Sequence, residues 1–492
     1  MIELLIALTV GIPTLAGVAA WFAGGRRATE LALGGLAIAL VSGLALSGLV
    51  FANGPVRALD GLVLIDAFGA YMLILVLVVA GIAVAGSPAH LAHEQEADRL
   101  RRHDAGRYYA LLLWFVAGLA AVPLLDNLGL VWVGIEATTI VSALLVGFAR
   151  TPDAIEAAWK YLILGSIGIG FALLGTLLLY ASSVGVLGET SDALDWTRLT
   201  EIAPRLDPGL VRLAFVFALA GYGTKAGLVP FHTWLPDAHS QAPSPISALL
   251  SGAGLAVALY ALARFHLVTV GALGPSFSST LLVGFGLLSL AVALPFIVAQ
   301  GDLKRLLAYS SIEHLGLATL ALGFGGQLAL LGFSLHLICH GLAKATVFLA
   351  AGRLVAERGS RRIGRLGDSL ARSPADGRAL VVAALVLAGL PPSGIFVAEL
   401  AILFGGVQAG WGLAAAGAAT ILALAAAGLL FHVVRVSVGP AGPLGEPCAS
   451  AGAWAVLLAI PLGVVVVAGL WTPSPLAAAL EQVTIVLGGG GG

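Results

Sequence analysis

The stretch ALAGYGTKAGLVPFHTWLPDAHSQAP, residues 218–243, places Lys225 in an apolar run and interrupts that run with Gly227, Pro230 and Pro236. Proline removes a backbone donor and clashes with the preceding helical turn, so an unbroken helix is not expected here. A broken helix at membrane depth is tolerated only where it is buried in protein or lines water. The stretch therefore predicts a discontinuous membrane helix with a lysine beside its break.

The composition indicates an integral membrane protein. The chain has 492 residues, of which 59% are hydrophobic and 10% are charged, whereas soluble domains carry roughly 25% charged residues. The formal net charge of -1 excludes a basic surface for nucleic acid. The two cysteines, Cys339 and Cys448, are too few for a disulfide framework or an iron–sulfur site.

Apolar length predicts about 14 transmembrane helices, because a span needs about 20 apolar residues. The predicted spans are residues 2–24, 30–52, 62–86, 108–126, 127–149, 157–183, 208–240, 246–269, 278–299, 304–325, 328–355, 378–404, 411–436 and 453–472. No basic residue precedes the first run, so we expect a true span and not a cleaved signal.

The distribution of basic residues predicts that both chain ends lie outside. Most Lys and Arg residues then fall on the inner side, including the Arg-rich segment 356–377, for which we expect a surface helix or a partner contact. The basic residues assigned to the outside are Arg57, Arg198, Arg205, Arg212 and Arg264.

A second span is interrupted in the same way. LVLAGLPPSGIFVAELAILF, residues 385–404, contains Gly389, Pro391 and Pro392 ahead of Glu399. Paired Gly/Pro-interrupted spans in corresponding halves are typical of transporters with inverted repeats. We predict an all-α polytopic membrane protein with two inverted five-helix repeats, spans 4–8 and 9–13. The expected divisions are a three-span segment (1–107), a first repeat (108–269), a second repeat (270–440), and a final span and tail (441–492).

Six ionisable residues are predicted at membrane depth. They are Glu136, Lys225, His336, His340, Lys344 and Glu399. A charge at the bilayer centre costs at least about 2.5 kcal/mol, so such residues normally face the bundle interior and mark ion or proton paths. The alternative is that buried ion pairs only order the helices.

The spacing of HLICHGLAK, residues 336–344, puts His336, His340 and Lys344 on one helix face in steps of about 6 Å. A metal site could use the two histidines, but the sequence offers no obvious third ligand. A proton relay is the other interpretation, since histidine titrates near neutral pH. Water would have to link the groups, because such steps exceed a hydrogen bond.

Further polar residues have two interpretations each. His232, Asp237 and His239 follow the first break and would either cap it or line a path for proton uptake. Glu313 and His314 would either link the inner side to the centre or make local hydrogen bonds. The residues interpreted as span-end caps or as positive-inside residues are Asp66, Asp126, Asn127, Lys160, Lys304 and Arg305.

Several motifs resemble the antiporter-like membrane subunits of complex I, of Mrp cation/proton antiporters and of membrane-bound hydrogenases. They are KAGLVPFHTWLPDAHSQAPSPISALLSG (225–252), HLICHGLAKATVFLAAG (336–352) and AGLPPSGIFVAEL (388–400). The resemblance covers about residues 60–440. Residues 126–148, 156–180 and 302–323, the last with SSIEH at 310–314, look most like hydrogenase-4 component F.

The resemblance implies a role for each of the six residues. Glu136 matches a glutamate expected to pair with Lys225, and separation of the pair would release a proton. Lys344 matches the central lysine, and Glu399 matches the terminal ionisable residue. His336 and His340 match histidines that help to hydrate the central axis or to relay protons along it.

One position departs from the family pattern. Ala256, in LSGAGLAVALY (250–260), stands where many members have a lysine or histidine. The link from Lys225 to the second half would then run through water, Ser247, Ser251 or the more distant His266.

Three functions remain open at this point. The first is a proton-translocating subunit of a redox complex of the hydrogenase-4 or formate hydrogenlyase type, in a bacterial or archaeal cytoplasmic membrane. This chain would hold no cofactor, and nickel–iron and iron–sulfur centres would lie in cytoplasmic partner subunits. The second is an Mrp-like proton or sodium antiporter subunit, or the membrane subunit of an inorganic-carbon uptake complex. The third is a scaffold whose proton path has degenerated.

Overall fold

The computed structural model describes residues 1–96, 102–440 and 452–489, and these residues are almost entirely helical. The helices of the first half are α1 (Ile2–Phe22), α2 (Gly25–Asn53), α3 (Ala67–Glu96), α4 (Arg102–Ala121), α5 (Leu128–Val146), α6 (Pro152–Leu187), α7 (Trp196–Ile202), α8 (Pro208–Ala226), α9 (Trp234–Gln241) and α10 (Ser244–Leu273). Those of the second half are α11 (Ser276–Val298), α12 (Leu303–Phe324), α13 (Gly326–Arg358), α14 (Ser369–Arg372), α15 (Pro374–Leu387), α16 (Gly394–Gln408), α17 (Gly412–Val438), α18 (Gly452–Leu470) and α19 (Ser474–Leu487).

The predicted fold class is confirmed. Within the described residues, 12 helices are long and apolar enough to cross a membrane. The two remaining predicted spans are the helix pairs α8/α9 and α15/α16, which are interrupted where Gly and Pro cluster. Proline contributes to both interruptions because it has no backbone N–H to donate to the helical hydrogen-bond ladder. Glycine contributes because Gly227 and Gly389 both have positive φ, which a regular right-handed helix does not allow.

The segments that connect the helices differ most from what the sequence predicted. Residues 62–65 do not begin a span. They lie in a short antiparallel hairpin of β1 (Val56–Ala58) and β2 (Val63–Ile65). The segment 356–377 contains a 3₁₀ turn at Ile363–Arg365 and the single-turn α14 in place of one surface helix. Cys448, Arg99 and Arg101 lie outside the described residues.

The last helix of the described residues is one that the sequence analysis did not predict. This helix, α19, packs against α3 and α13, and Gln482 Nε2 donates to the carbonyl of Phe51 at 3.2 Å. At fourteen residues it is shorter than a usual span, which is why a search for about 20 apolar residues passed over it.

The centre of the bundle is formed by α10 and α12. Every residue in the most apolar part of these two helices is buried, and α3 and α13 are mostly buried, whereas α1 and α17 expose most of their surface. A helix that is apolar all round is stable only when other helices or lipid surround it. Gly252 of α10 and Gly341 of α13 let these helices approach closely, since a Cβ at either would meet the other's carbonyl.

A buried ion pair fixes one end of the bundle. Arg264 was assigned to the outer surface, but it is 1% exposed and both of its terminal nitrogens donate to Asp66, at 2.8 and 2.6 Å. The guanidinium also lies 3.9 Å from the ring centroid of Trp196 in α7. Asp66 acts as a cap as well, because its Oδ1 accepts from the backbone N–H of Gly69.

The other predicted span-end residues also have structural partners. Asn127 caps α5 by accepting from the backbone N–H groups of Gly129 and Leu130. Asp126 accepts hydrogen bonds from both the backbone and the hydroxyl of Thr197 and so holds α7 in place. These interactions order the connections between helices at the surface.

Candidate functional site

Lys225 lies at the end of α8, directly before the break. It is 4% exposed, and its Nζ donates to Thr139 Oγ1 at 2.8 Å and to the Tyr161 hydroxyl at 2.5 Å. Tyr161 is hydrogen-bonded in turn to Ser142 at 2.8 Å. Gly227 takes a left-handed conformation and ends the helix two residues later. The lysine is therefore held by hydroxyl groups from α5 and α6.

The predicted ion pair between Glu136 and Lys225 is not formed in the part of the chain that the structure describes. Glu136 Oε1 accepts from Ser166 Oγ of α6 at 2.8 Å, and Glu136 Oε2 is buried without a hydrogen-bond partner among the described residues. Thr139 lies one helical turn beyond Glu136 and occupies the position next to the ammonium group. The carboxylate is still near enough to interact electrostatically with Lys225.

Trp234 closes the first break. Its Nε1 donates at 2.8 Å to the carbonyl of Thr224, one of the carbonyls that lose their helical partner at the end of α8. Its ring centroid lies 4.5 Å from that of Tyr161. The backbone N–H of Val229 donates to Ser289 Oγ of α11 at 3.0 Å. The discontinuous backbone is therefore satisfied by neighbouring groups, as burial at membrane depth requires.

The three polar residues after the break have different environments. Asp237 bridges two helices, since its oxygens lie 3.1 Å from Lys160 Nζ of α6 and 2.8 Å from an Arg305 nitrogen of α12. His239 is fully buried, and its Nε2 has no hydrogen-bond partner among the described residues. His232 is half-buried. Lys160 and Arg305 thus bind Asp237, a role beyond the one assigned from sequence.

Lys344 lies at the centre of the bundle on α13 and is fully buried. Its Nζ donates to the carbonyl of Leu307 at 2.9 Å and to Ser310 Oγ at 2.8 Å, both on α12. Glu313 is 6% exposed and lies one turn further along α12. Its carboxylate is close enough to interact electrostatically with the Lys344 ammonium group. The structure thus brings Glu313 to the central lysine, although the sequence left its role open.

Three histidines form one buried cluster. The ring centroids of His336 and His340 are 6.0 Å apart, as their spacing on one helix predicted. His314 of α12 lies between them, with its centroid 5.2 Å from His336 and 5.1 Å from His340. Within the described residues, no group of three His, Cys, Asp or Glu side chains could hold a metal ion. His314 therefore joins the two histidines predicted to share a face, and the relay remains a prediction.

The second break lies next to this cluster. The last residue of α15 is Leu387, whose carbonyl is close to the His314 ring. Gly389 has a φ of +62°, and the carboxylate of Glu399 occupies the space that a Cβ at this position would need. Glu399 is also close enough to Glu313 to interact electrostatically. The break thus brings Glu399 near Glu313, and it brings the end of α15 near His314.

Ala256, the position that departs from the family pattern, lies inside the bundle. This residue is 1% exposed and lies in the buried part of α10. Ser251 is hydrogen-bonded to Ser311 of α12 at 2.8 Å, and Ser247 donates to the carbonyl of His239 at 2.7 Å. His266 lies about 15 Å further along α10. The two serines therefore contact α12 and the helix after the first break, whereas His266 lies further along α10.

Lys304 is a polar residue that sequence reasoning missed. It was assigned to the inner surface, but it is 4% exposed and its Nζ donates to the carbonyl of Ala242 at 2.6 Å. His239 lies close enough to interact electrostatically with both Lys304 and Lys344. A lysine in the first turn of a helix is usually solvated, so no pattern in the sequence indicated its burial.

Comparisons with known proteins identify the family. Residues 126–424 match the family described as NADH:quinone oxidoreductase/Mrp antiporter, transmembrane. A hydrogenase-4 component F homologue of Methylacidiphilum infernorum is 40% identical over 353 residues, which are 72% of this chain and 74% of the relative.

Solved structures show the same fold. A chain of an archaeal membrane-bound sulfane sulfur reductase superposes with a TM-score of 0.85 at 23% identity, covering 99% of this chain and 97% of that one. A chain of the Mrp complex of Dietzia sp. superposes with a TM-score of 0.81 at 22% identity, covering 99% and 98%. This protein therefore belongs to the NADH:quinone oxidoreductase/Mrp antiporter membrane family and is one of its antiporter-like subunits.

Proposed function

We propose that this chain translocates protons as a membrane subunit of a redox complex of the hydrogenase-4 type. The observation that supports this is the series of buried ionisable side chains from the first break to the second. The series contains the buried Lys225, His239, Lys344, Glu313, His340, His314 and His336, together with the half-buried Glu399. So many such groups are costly inside a membrane protein and are characteristic of proton paths.

The mechanism assigns proton holding to the two lysines. Lys225 would hold a proton between Thr139 and Tyr161, with Glu136 close by to stabilise the charged form. Lys344 would hold a second proton beside Glu313. The three histidines would pass protons toward Glu399. A conformational change that moves Glu136 relative to Lys225 would change the affinity of the lysine for its proton.

The redox chemistry would belong to partner subunits. The relatives are named for hydrogenase and quinone oxidoreductase components, and the solved neighbours are respiratory and Mrp complexes. We assign nickel–iron and iron–sulfur centres to cytoplasmic partners and a bacterial or archaeal cytoplasmic membrane to the complex. Both chain ends would face outside, which places the last turns of α3 and α13 and the start of α15 on the cytoplasmic side.

The first test is purification of the tagged chain in a gentle detergent, with partner identification by mass spectrometry and metal analysis. A nickel–iron large subunit together with nickel and iron is the expected result. Recovery of small membrane partners without redox metals would overturn the redox assignment.

The second test measures transport directly. The purified assembly is placed in proteoliposomes that contain a pH-sensitive dye, and Lys225→Met and Lys344→Met are compared with the exposed-residue control Arg26→Gln. We expect both lysine variants to lose proton transport and the control to retain it. Full transport in both lysine variants would indicate a scaffold.

An Mrp-like antiporter is the second candidate, because an Mrp complex has the same fold and the family includes Mrp proteins. Such a subunit would exchange sodium for protons without a redox substrate. A pH change in the proteoliposomes on addition of sodium alone would favour it, and dependence on a redox substrate would favour the first proposal.

A further inference from the structure

A cavity lies at the end of the bundle where α3 and α13 finish, away from the two breaks. It has a volume of about 190 Å³ and lies between α3, the start of α10, α13 and α18. His90 and His93 of α3 line one wall, and Ser244, Gly352 and Arg353 line the others. Since a water molecule takes about 30 Å³ of liquid volume, the cavity has room for several.

The two histidines are at the boundary between this cavity and the outside. Both His90 and His93 are half-buried, and Ala92 between them is exposed. Their spacing of three residues puts both rings on the same side of α3. Imidazole has two ring nitrogens that can each accept or donate a proton, so a pair at a cavity mouth suits proton transfer from water.

A series of neighbouring titratable groups leads from the cavity to the centre. Lys304 Nζ donates to the carbonyl of Ala242, two residues before Ser244 in the cavity wall. The His239 ring lies 5.9 Å from that of Phe348, which is one helical turn after Lys344 on α13. Lys304 and His239 are both buried beside the connection between α9 and α10. Gly352 is eight residues from Lys344 on α13, so the cavity approaches the lysine to within about 12 Å along the helix axis.

Asp237 is the other candidate for proton uptake, and it already pairs with two cations. Asp237 lies near the same surface, but one oxygen contacts Lys160 and the other contacts Arg305. A proton arriving at this carboxylate would have to displace one of two cations. The cavity mouth presents two imidazole groups, whose ring nitrogens can accept and donate protons.

We propose that this cavity, with His90 and His93 at its mouth, is the inlet through which protons reach Lys344 by way of Lys304 and His239. The inference rests on the proposed function. The first transfer breaks an O–H bond of water or hydronium and forms an N–H bond on a histidine. Each later transfer breaks an N–H bond on the donor and forms one on the acceptor, directly or through water, so the net result is movement of a proton from bulk water to Lys344. Water in the cavity would bridge the steps that exceed hydrogen-bond length.

The test uses the whole complex in proteoliposomes, with redox turnover and proton transport measured in parallel. The variant is His90→Gln together with His93→Gln, and the matched control is Ala85→Gln, which adds the same side chain at an exposed position of α3 outside the cavity lining. We expect proton transport to fall at least about ten-fold in the double variant, because one general acid–base group contributes about a hundred-fold or more. Added imidazole, a mobile proton carrier, should restore much of the loss.

The outcomes separate the inlet from the proposed function. Unchanged transport in the double variant would overturn the inlet and leave the proposed function intact, provided that Lys344→Met still abolishes transport. A loss that imidazole does not restore, accompanied by an equal loss in Ala85→Gln, would show a structural role and would also overturn it. A wild-type complex that moves no protons would overturn both.

Discussion

At the scale of single residues, hydroxyl groups organise the first lysine. Lys225 donates to Thr139 and Tyr161, and the expected carboxylate partner, Glu136, binds Ser166. A hydroxyl partner lets the lysine hold or release its proton without leaving a carboxylate unpaired. Glu136 acts on Lys225 at longer range. A small shift of α5 relative to α8 would therefore change their electrostatic interaction gradually, whereas opening a direct ion pair would change it abruptly.

Removing the Tyr161 hydroxyl tests this arrangement. Tyr161→Phe deletes the bonds to Lys225 and Ser142, and a hydrogen bond to a charged group is worth about 1.5–3 kcal/mol. We expect proton transport to fall by roughly ten-fold or more while the complex still assembles. Tyr180→Phe, a more exposed position on the same helix, is the control. Equal transport in the two variants would exclude a role for the Tyr161 hydroxyl.

At the scale of elements, the two broken helices place ionisable groups differently. In α8/α9 the lysine ends the first segment, whereas in α15/α16 the glutamate lies within the second segment and folds back against Gly389. Both breaks expose backbone carbonyls, and Trp234 and His314 lie next to them. The breaks therefore position ionisable side chains as well as interrupting the spans.

Gly389→Ala tests the second break. A non-glycine residue in the left-handed region costs roughly 1–2 kcal/mol, and the new Cβ would also push the Glu399 carboxylate away. Gly410→Ala carries the same backbone penalty, with a φ of +86° and no nearby atoms. Transport by proteoliposomes should therefore fall far more in Gly389→Ala than in Gly410→Ala. Similar losses would mean that backbone strain alone accounts for the effect.

The ion pair of Asp66 with Arg264 links α3 to α10 and supports α7. Arg264→Met leaves a buried carboxylate without its partner, and breaking a buried pair costs about 3–5 kcal/mol. The thermal unfolding midpoint of the purified chain should drop sharply. Adding Asp66→Asn removes the unpaired charge and should recover part of the loss. A double variant less stable than Arg264→Met would contradict this explanation.

At the scale of the whole molecule, Asp237 connects α6 of the first half to α12 of the second. Its ion pairs are half-exposed, and such pairs contribute about 0.2–1 kcal/mol each. Together with Arg361, which bonds to the carbonyl of Ser240 at 3.0 Å and lies 3.6 Å from Asp302, they join the halves at one surface. Division of the chain into two repeats at these bounds remains a prediction.

Asp237→Asn should therefore have a modest effect. We expect the unfolding midpoint to change little and proton transport to stay within about two-fold of wild type, because the pairs are partly screened by solvent. The measurement is dye-reported transport at low and high salt, with Arg57→Gln as an exposed control at another surface. A loss of ten-fold or more would identify Asp237 as a proton-uptake group and would contradict its structural role.

The sequence by itself determined the spans, both breaks and the helix face shared by His336, His340 and Lys344. Apolar length, proline chemistry and helical spacing are local properties, so they need no knowledge of packing. Only the tertiary structure decided which groups meet. It gave Lys225 hydroxyl partners, inserted His314 between the two predicted histidines, buried Lys304 and paired Arg264 with Asp66. Those contacts depend on how helices distant in sequence rotate and pack, and residue spacing along one helix contains no information about its neighbours.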